Sequence, residues 1–124
     1  MTGGQAGKQL KFPKSRRLTR RAEFERAKKD GRVQRGRLIL LSILETTDKN
    51  PFRAGFITSR AVGSAVVRNG VRRRLREIVR KHQCEIVDGR WIVTIARASA
   101  ANASYQELEG EWLRLAKRAS ILAA

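Results

Sequence analysis

Apolar positions along this chain follow two rhythms. At about 100° per residue, Val67, Val71, Leu75, Ile78 and His82 share one face. That spacing predicts a helix opened by Ser64 as N-cap and ending near Gln83. Arg68, Asn69, Arg72, Arg73, Arg76 and Arg80 fall on its opposite face. Elsewhere the runs are strand-like. Leu38–Leu44 is almost wholly apolar, and the turn residues Asp48–Pro51 follow it. Arg53–Ser59 reads as a second strand, and the short link predicts a hairpin. Asp88-Gly89 introduces a third strand, Arg90–Ala96. Near the start, Thr19 is the predicted N-cap of a helix from Arg20 to Asp30 that stops at Gly31 and places Phe24 and Ala27 on one side. Near the end, Ser104-x-x-Glu107 is a capping box. Leu108, Trp112, Leu115 and Ala119 then keep helical spacing. Glu107, Glu109 and Glu111 near that start, and Arg114, Lys117 and Arg118 later, match the helix dipole. The order helix, hairpin, helix, strand, helix predicts an α+β fold with helices on a small sheet.

Charge sharpens this picture. The 124 residues suit one domain, here expected over residues 16–124 behind a flexible basic arm at 1–15. Lys plus Arg number 28 against 11 Asp plus Glu, a net charge of +17. That is the electrostatic footprint of a polyanion binder. Arg68, Arg72, Arg76 and Arg80 repeat at i and i+4, where like charges repel, with almost no acidic relief beyond Glu77. A surface serving structure alone would mix signs. Arginine stays charged and grips phosphate with a planar fork, so this face predicts contact with a nucleic-acid backbone. No apolar run has the length of a membrane span, and the N-terminus lacks the apolar segment of a signal peptide. The lone Cys84 excludes an internal disulfide and suits a reducing cytoplasm; it is read as a partly buried small hydrophobe.

Catalytic chemistry is not visible. His82 lies on the apolar edge of the basic helix, where a packed or half-exposed imidazole is expected rather than a base. One Cys and one His cannot make a structural zinc site, and the scattered carboxylates do not assemble a two-metal nuclease. There is no phosphate-binding glycine loop. No catalytic or metal-ligating residue is therefore assigned. A DNA-reading helix would bring Asn and Gln beside Arg, and this one offers Asn69 alone in a mostly cationic setting.

The stretch Ser59-Arg60-Ala61-Val62-Gly63-Ser64-Ala65-Val66-Val67-Arg68-Asn69, followed by Arg72-Arg73-x-x-Arg76-Glu77, resembles the signature of the bacterial ribonuclease P protein subunit. Arg17-Leu18, Glu23-Phe24, Gly31 and Arg37 match that family before the motif, and Ile95-Ala96-Arg97 and Tyr105/Glu107/Leu108 match it afterwards. The likeness covers about residues 16–120. Gly70 departs from it, replacing the second arginine of an Arg-Asn-Arg core. Ala61 replaces a lysine, and Ser64 an asparagine. Lys28 and Ser42 stand where the family carries aromatics.

The resemblance implies a four-stranded sheet packed by three helices, with a left-handed βαβ crossover and a short strand near Val33–Arg35. It implies a cytoplasmic RNA-binding subunit that assists a catalytic RNA in cutting the 5′ leader from precursor tRNA. The RNA subunit and precursor tRNA are the implied partners, with no membrane. Mg²⁺ belongs to the RNA, and the protein alone holds no cofactor. Arg16, Arg17, Arg37, Arg60, Arg68, Asn69, Arg72, Arg73, Arg76 and Arg80 are the implied RNA-binding residues. Phe24, Lys28 and Ser42 are the implied leader cleft, with charge substituting for stacking. The rival readings are a structural, ribosomal-type RNA-binding protein and a protein-only nuclease.

Overall fold

The computed structural model describes Phe12 and residues 14–123. Three helices form: α1 (Arg21–Asp30), α2 (Ala65–Lys81) and α3 (Tyr105–Arg118). Four strands form: β1 (Arg32–Arg35), β2 (Ile39–Glu45), β3 (Arg53–Thr58) and β4 (Arg90–Ala96). They make one mixed sheet in the order β1-β2-β4-β3. β1 pairs antiparallel with β2, β2 antiparallel with β4, and β3 parallel with β4. The expected short strand near Val33–Arg35 is β1. The βαβ unit is β3–α2–β4.

The hairpin expected between β2 and β3 does not form, because β4 lies between them. β2 takes β1 and β4 as its two neighbours, and β3 takes β4 alone, as a parallel edge strand. Their link, Thr46–Phe52, turns around the start of β4 instead of closing tightly: the Thr46 amide donates to Gly89 O at 2.9 Å, and the Gly89 amide to Asn50 O at 2.8 Å. Covering both sheet faces explains why β2 reads as a nearly continuous apolar run.

On one face α2 and α3 supply Val71, Leu75, Ile78, Val79, Leu108, Trp112, Leu115 and Ala116 to a core with Ile39, Leu41, Ile43, Ala54 and Ile92. The Trp112 indole donates to the buried Thr94 hydroxyl at 3.1 Å. On the other face α1 buries Ala27 with Leu18 and Val93, and half-buried Phe24, Ile57, Trp91 and Ile95 pack around them. Phe12 falls inside the expected arm yet is buried in the first core, stacked on Phe52 at 6.2 Å. Order therefore begins earlier than residue 16, and the remainder of the expected arm, residues 1–11 and 13, lies outside the described residues.

The start of α1 also differs from expectation. Thr19 is not the N-cap; Arg20 occupies that position. Arginine has no acceptor, so Glu23 does the capping, taking the amides of Thr19 at 3.2 Å and Arg20 at 3.1 Å. Cys84 is exposed, not partly buried, because the chain has already left α2 for a short turn at Gln83–Glu85. Among the described residues no helix is long and apolar enough to cross a membrane.

Candidate RNA-binding site

The sequence builds α2 as expected. Ser64 caps it, its hydroxyl accepting the Val67 amide at 3.3 Å. Burying Val71, Leu75, Ile78 and Val79 against the sheet fixes the helix's rotation and turns the arginine face outward. Val67 does not join that buried stripe and is exposed. Asn69, Arg72, Arg73 and Arg76 line one surface depression. Arg72 is held in place, donating to Asn69 Oδ1 at 3.0 Å and to Thr58 Oγ1 at 2.7 Å. The Nε atoms of Arg68 and Arg76 are buried with no acceptor among the described residues.

A second groove opens beside the first, at the outer edge of β3. Arg17, Leu18, Thr19, Phe24, Ala54, Phe56, Arg72 and Arg76 line it. Arg72 and Arg76 thus border both depressions. Burial, reinforced by the charges of Arg17 and Arg72, lowers the Arg76 pKa from its ordinary value. The guanidinium still remains charged. The arrangement is a cluster of cations with an unmet demand for negative charge, beside two aromatic rings.

The remaining expected residues divide. Arg17 donates to Phe12 O at 2.8 Å and lies over the Phe12 ring at 5.7 Å, which sets the groove's near wall. Arg16 stacks over Phe52 at 5.2 Å and borders a separate depression with Asn50 and Pro51. Arg60 is exposed on the turn before α2. Arg80 is bound to the Glu77 carboxylate, which it holds below the usual carboxylate range. Arg37 is elsewhere, on the β1–β2 turn. Lys28 is exposed on α1. Ser42 cannot line an open cleft: it is fully buried, and its hydroxyl donates to Ala27 O at 2.7 Å, tying α1 to β2.

Phe24 is half-buried, its ring against Gly55 so closely that a Cβ there would meet it at 2.4 Å. Phe56 is a groove residue not anticipated from the sequence. Trp91 is also half-buried on the α1 face, with Arg26 at 5.3 Å and Arg53 at 5.5 Å from its ring centre. His82 is packed as expected, between Glu85 at 2.9 Å and Glu109 at 2.8 Å. Among the described residues no group of three or more His, Cys, Asp or Glu could hold a metal ion.

Known proteins share this design. The ribonuclease P family profile matches residues 12–120. The ribonuclease P protein component of Acidothermus cellulolyticus is 41% identical over 108 residues, covering 86% of this chain and 90% of its own length. That of Syntrophomonas wolfei is 32% identical over 111 residues, covering 89% and 92%. The Staphylococcus aureus RNase P protein superposes with a TM-score of 0.81 at 27% identity, over 88% of this chain and 99% of that one. The Thermotoga maritima protein gives 0.73 at 26% identity, over 82% and 96%. A matching profile across nearly the whole described chain, the same fold, and a basic helix carrying the family's arginines place this chain in the ribonuclease P protein-component family.

Proposed function

We propose that this chain works as the RNA-binding protein subunit of ribonuclease P, the endoribonuclease that matures the 5′ end of tRNA. It binds the catalytic RNA through the arginine face of α2. It receives the leader of precursor tRNA in the groove at the edge of β3. The observation that carries this reading is the position of Arg72 and Arg76, which form one wall shared by both depressions. Two polyanions approaching from the two sides would be screened from each other by the same guanidiniums. Such screening raises affinity for substrate and lowers the Mg²⁺ needed to neutralise the complex.

Mg²⁺ held by the RNA subunit would supply the activated water for phosphodiester hydrolysis. The protein's residues bind, orient and neutralise. Phe24 and Phe56 offer ring faces for unpaired bases, and Arg17, Arg72 and Arg76 the charge for the phosphates between them. A structural RNA-binding protein without a processing role is less favoured, because the family match runs from the first described residues to the end of α3.

The test is cleavage of precursor tRNA by a bacterial ribonuclease P RNA at low Mg²⁺, with and without this protein. The protein is expected to restore cleavage at Mg²⁺ concentrations where the RNA alone is nearly inactive. No stimulation at any Mg²⁺ concentration would overturn the reading.

A further inference from the structure

We infer that the protein carries a second phosphate-backbone surface, built on the β1–β2 turn and the outer end of α3, apart from the arginine face of α2. This rests on the reading of the chain as a ribonuclease P subunit and adds a contact that the α2 face and the groove do not include.

The turn is unusually well held. The buried Glu111 carboxylate accepts the amides of Arg37 at 3.2 Å, Leu38 at 2.5 Å and Ile39 at 2.8 Å. A Cβ at residue 36 would meet Glu111 Oε2 at 2.5 Å, so the close approach requires Gly36. The carbonyl side of the turn is occupied as well. Arg97 donates to Gly36 O at 3.1 Å, Ser99 to Arg37 O at 2.7 Å, and Arg118 reaches Arg35 O at 3.5 Å. Arg114 is joined to Glu111 at 3.0 Å.

Arginines from β4's end and from α3 therefore converge on the turn that carries Arg37. Arg37, Arg97, Arg114 and Arg118 are all exposed. The α3 carboxylates that bear on the cluster are Glu107 and Glu111. Glu107 is engaged by Ser104, and Glu111 is buried under the amides it accepts. Glu107 still attracts the Arg37 guanidinium at longer range, but Arg37, Arg97 and Arg118 form no ion pair among the described residues.

Sheet order separates this surface from the first. β1 and β3 are opposite edges, α3 packs over β1 and β2, and α2 packs over β3. A rigid turn with guanidiniums converging on it is preorganised for consecutive phosphates, since little ordering remains for binding to supply. The ligand chemistry is an RNA phosphodiester backbone. It could belong to the RNA subunit or to precursor tRNA.

The experiment compares wild type with Arg37→Gln/Arg97→Gln/Arg118→Gln in two arms. One measures binding of the protein to a bacterial ribonuclease P RNA alone. The other measures binding of precursor tRNA to holoenzyme assembled with saturating protein. Each is titrated with salt. The triple variant is expected to lose about tenfold or more in affinity in at least one arm, and its log K against log [salt] slope to fall by about two units, at roughly 0.7–0.9 per lost phosphate. The affected arm identifies the RNA. Arg37→Gln alone, whose guanidinium makes no hydrogen bond among the described residues, guards against a folding defect and should lower the slope by about one unit. Unchanged affinity and slope in both arms, with wild type binding normally, would overturn the second surface only. Failure of wild type to bind either RNA would instead overturn the functional reading on which it rests.

Discussion

At the scale of residues, Glu111 shows how far a carboxylate can depart from its sequence appearance. It reads as one of three glutamates suiting the start of a helix, yet it is buried and takes three backbone amides. Burial opposes its ionisation, but the amides of Leu38 and Ile39, then Arg114 and the Arg37 amide, outweigh that and hold its pKa below the usual value. A depressed folded pKa contributes stability that is fully present above the unfolded value and lost as pH falls through the folded one. Glu111→Gln should therefore show a shallower fall in urea stability than wild type below about pH 4, where unfolded carboxylates begin to protonate. Glu111→Ala, which strands three buried amides, should cost about 3 kcal/mol or more at neutral pH in the same assay. Phe24 poses a different question, because it both packs against the sheet and lines the groove. Phe24→Leu is expected to weaken binding of leader-bearing precursor tRNA by about 1–3 kcal/mol while sparing mature tRNA. A lowered thermal midpoint with unchanged leader discrimination would make it a core residue only. The sequence made Phe24 visible through its helical position. It hid the burial of Ser42 because a serine hydroxyl satisfied by Ala27 O cannot be distinguished, by pattern, from one facing water.

At the scale of elements, the helices were the more legible. The α2 cap, buried stripe and arginine face follow from local spacing, and so do the capping box and stripe of α3. Gly70 interrupts this consistency. Among the described residues only the Arg74 guanidinium comes near its open Cβ position, at 3.8 Å. Gly70→Ala should therefore raise stability by about 1 kcal/mol in chemical denaturation, with little change in RNA affinity. Arg74 itself is committed to structure, donating to Gly70 O at 3.2 Å and Ala103 O at 3.0 Å. The strands were found but their pairing was not. β2 and β3 are near in sequence, and nothing local reveals that β4 separates them. Pairing is set by how the strands and the helices covering them pack together, a property of the whole sheet. The groove was only half readable for the same reason, since Phe56 and Arg76 meet across β3 and α2.

At the scale of the molecule, the net charge of +17 becomes a measurable quantity. If roughly five to eight phosphates are neutralised through the α2 face, log K for RNA against log [salt] should slope by about −4 to −7. Arg72→Ala and Arg76→Ala should each lower that slope by about one unit. Equal slopes in both variants and wild type would remove α2 from the RNA interface. The sheet order has a further consequence, in time. β4 is the third element to follow β2 and the second to follow β3, yet it supplies the partner that each requires. While the chain emerges from the ribosome, β2 has only β1 beside it, and β3 has no neighbouring strand from the sheet. Both present unpaired amides and apolar side chains until residues 90–96 appear. Assembly of the sheet therefore waits for β4, which follows most of the lysines and arginines in the chain. Until β4 is present the chain is a polycation without its complete sheet, and that one strand gives the charged surface its defined shape.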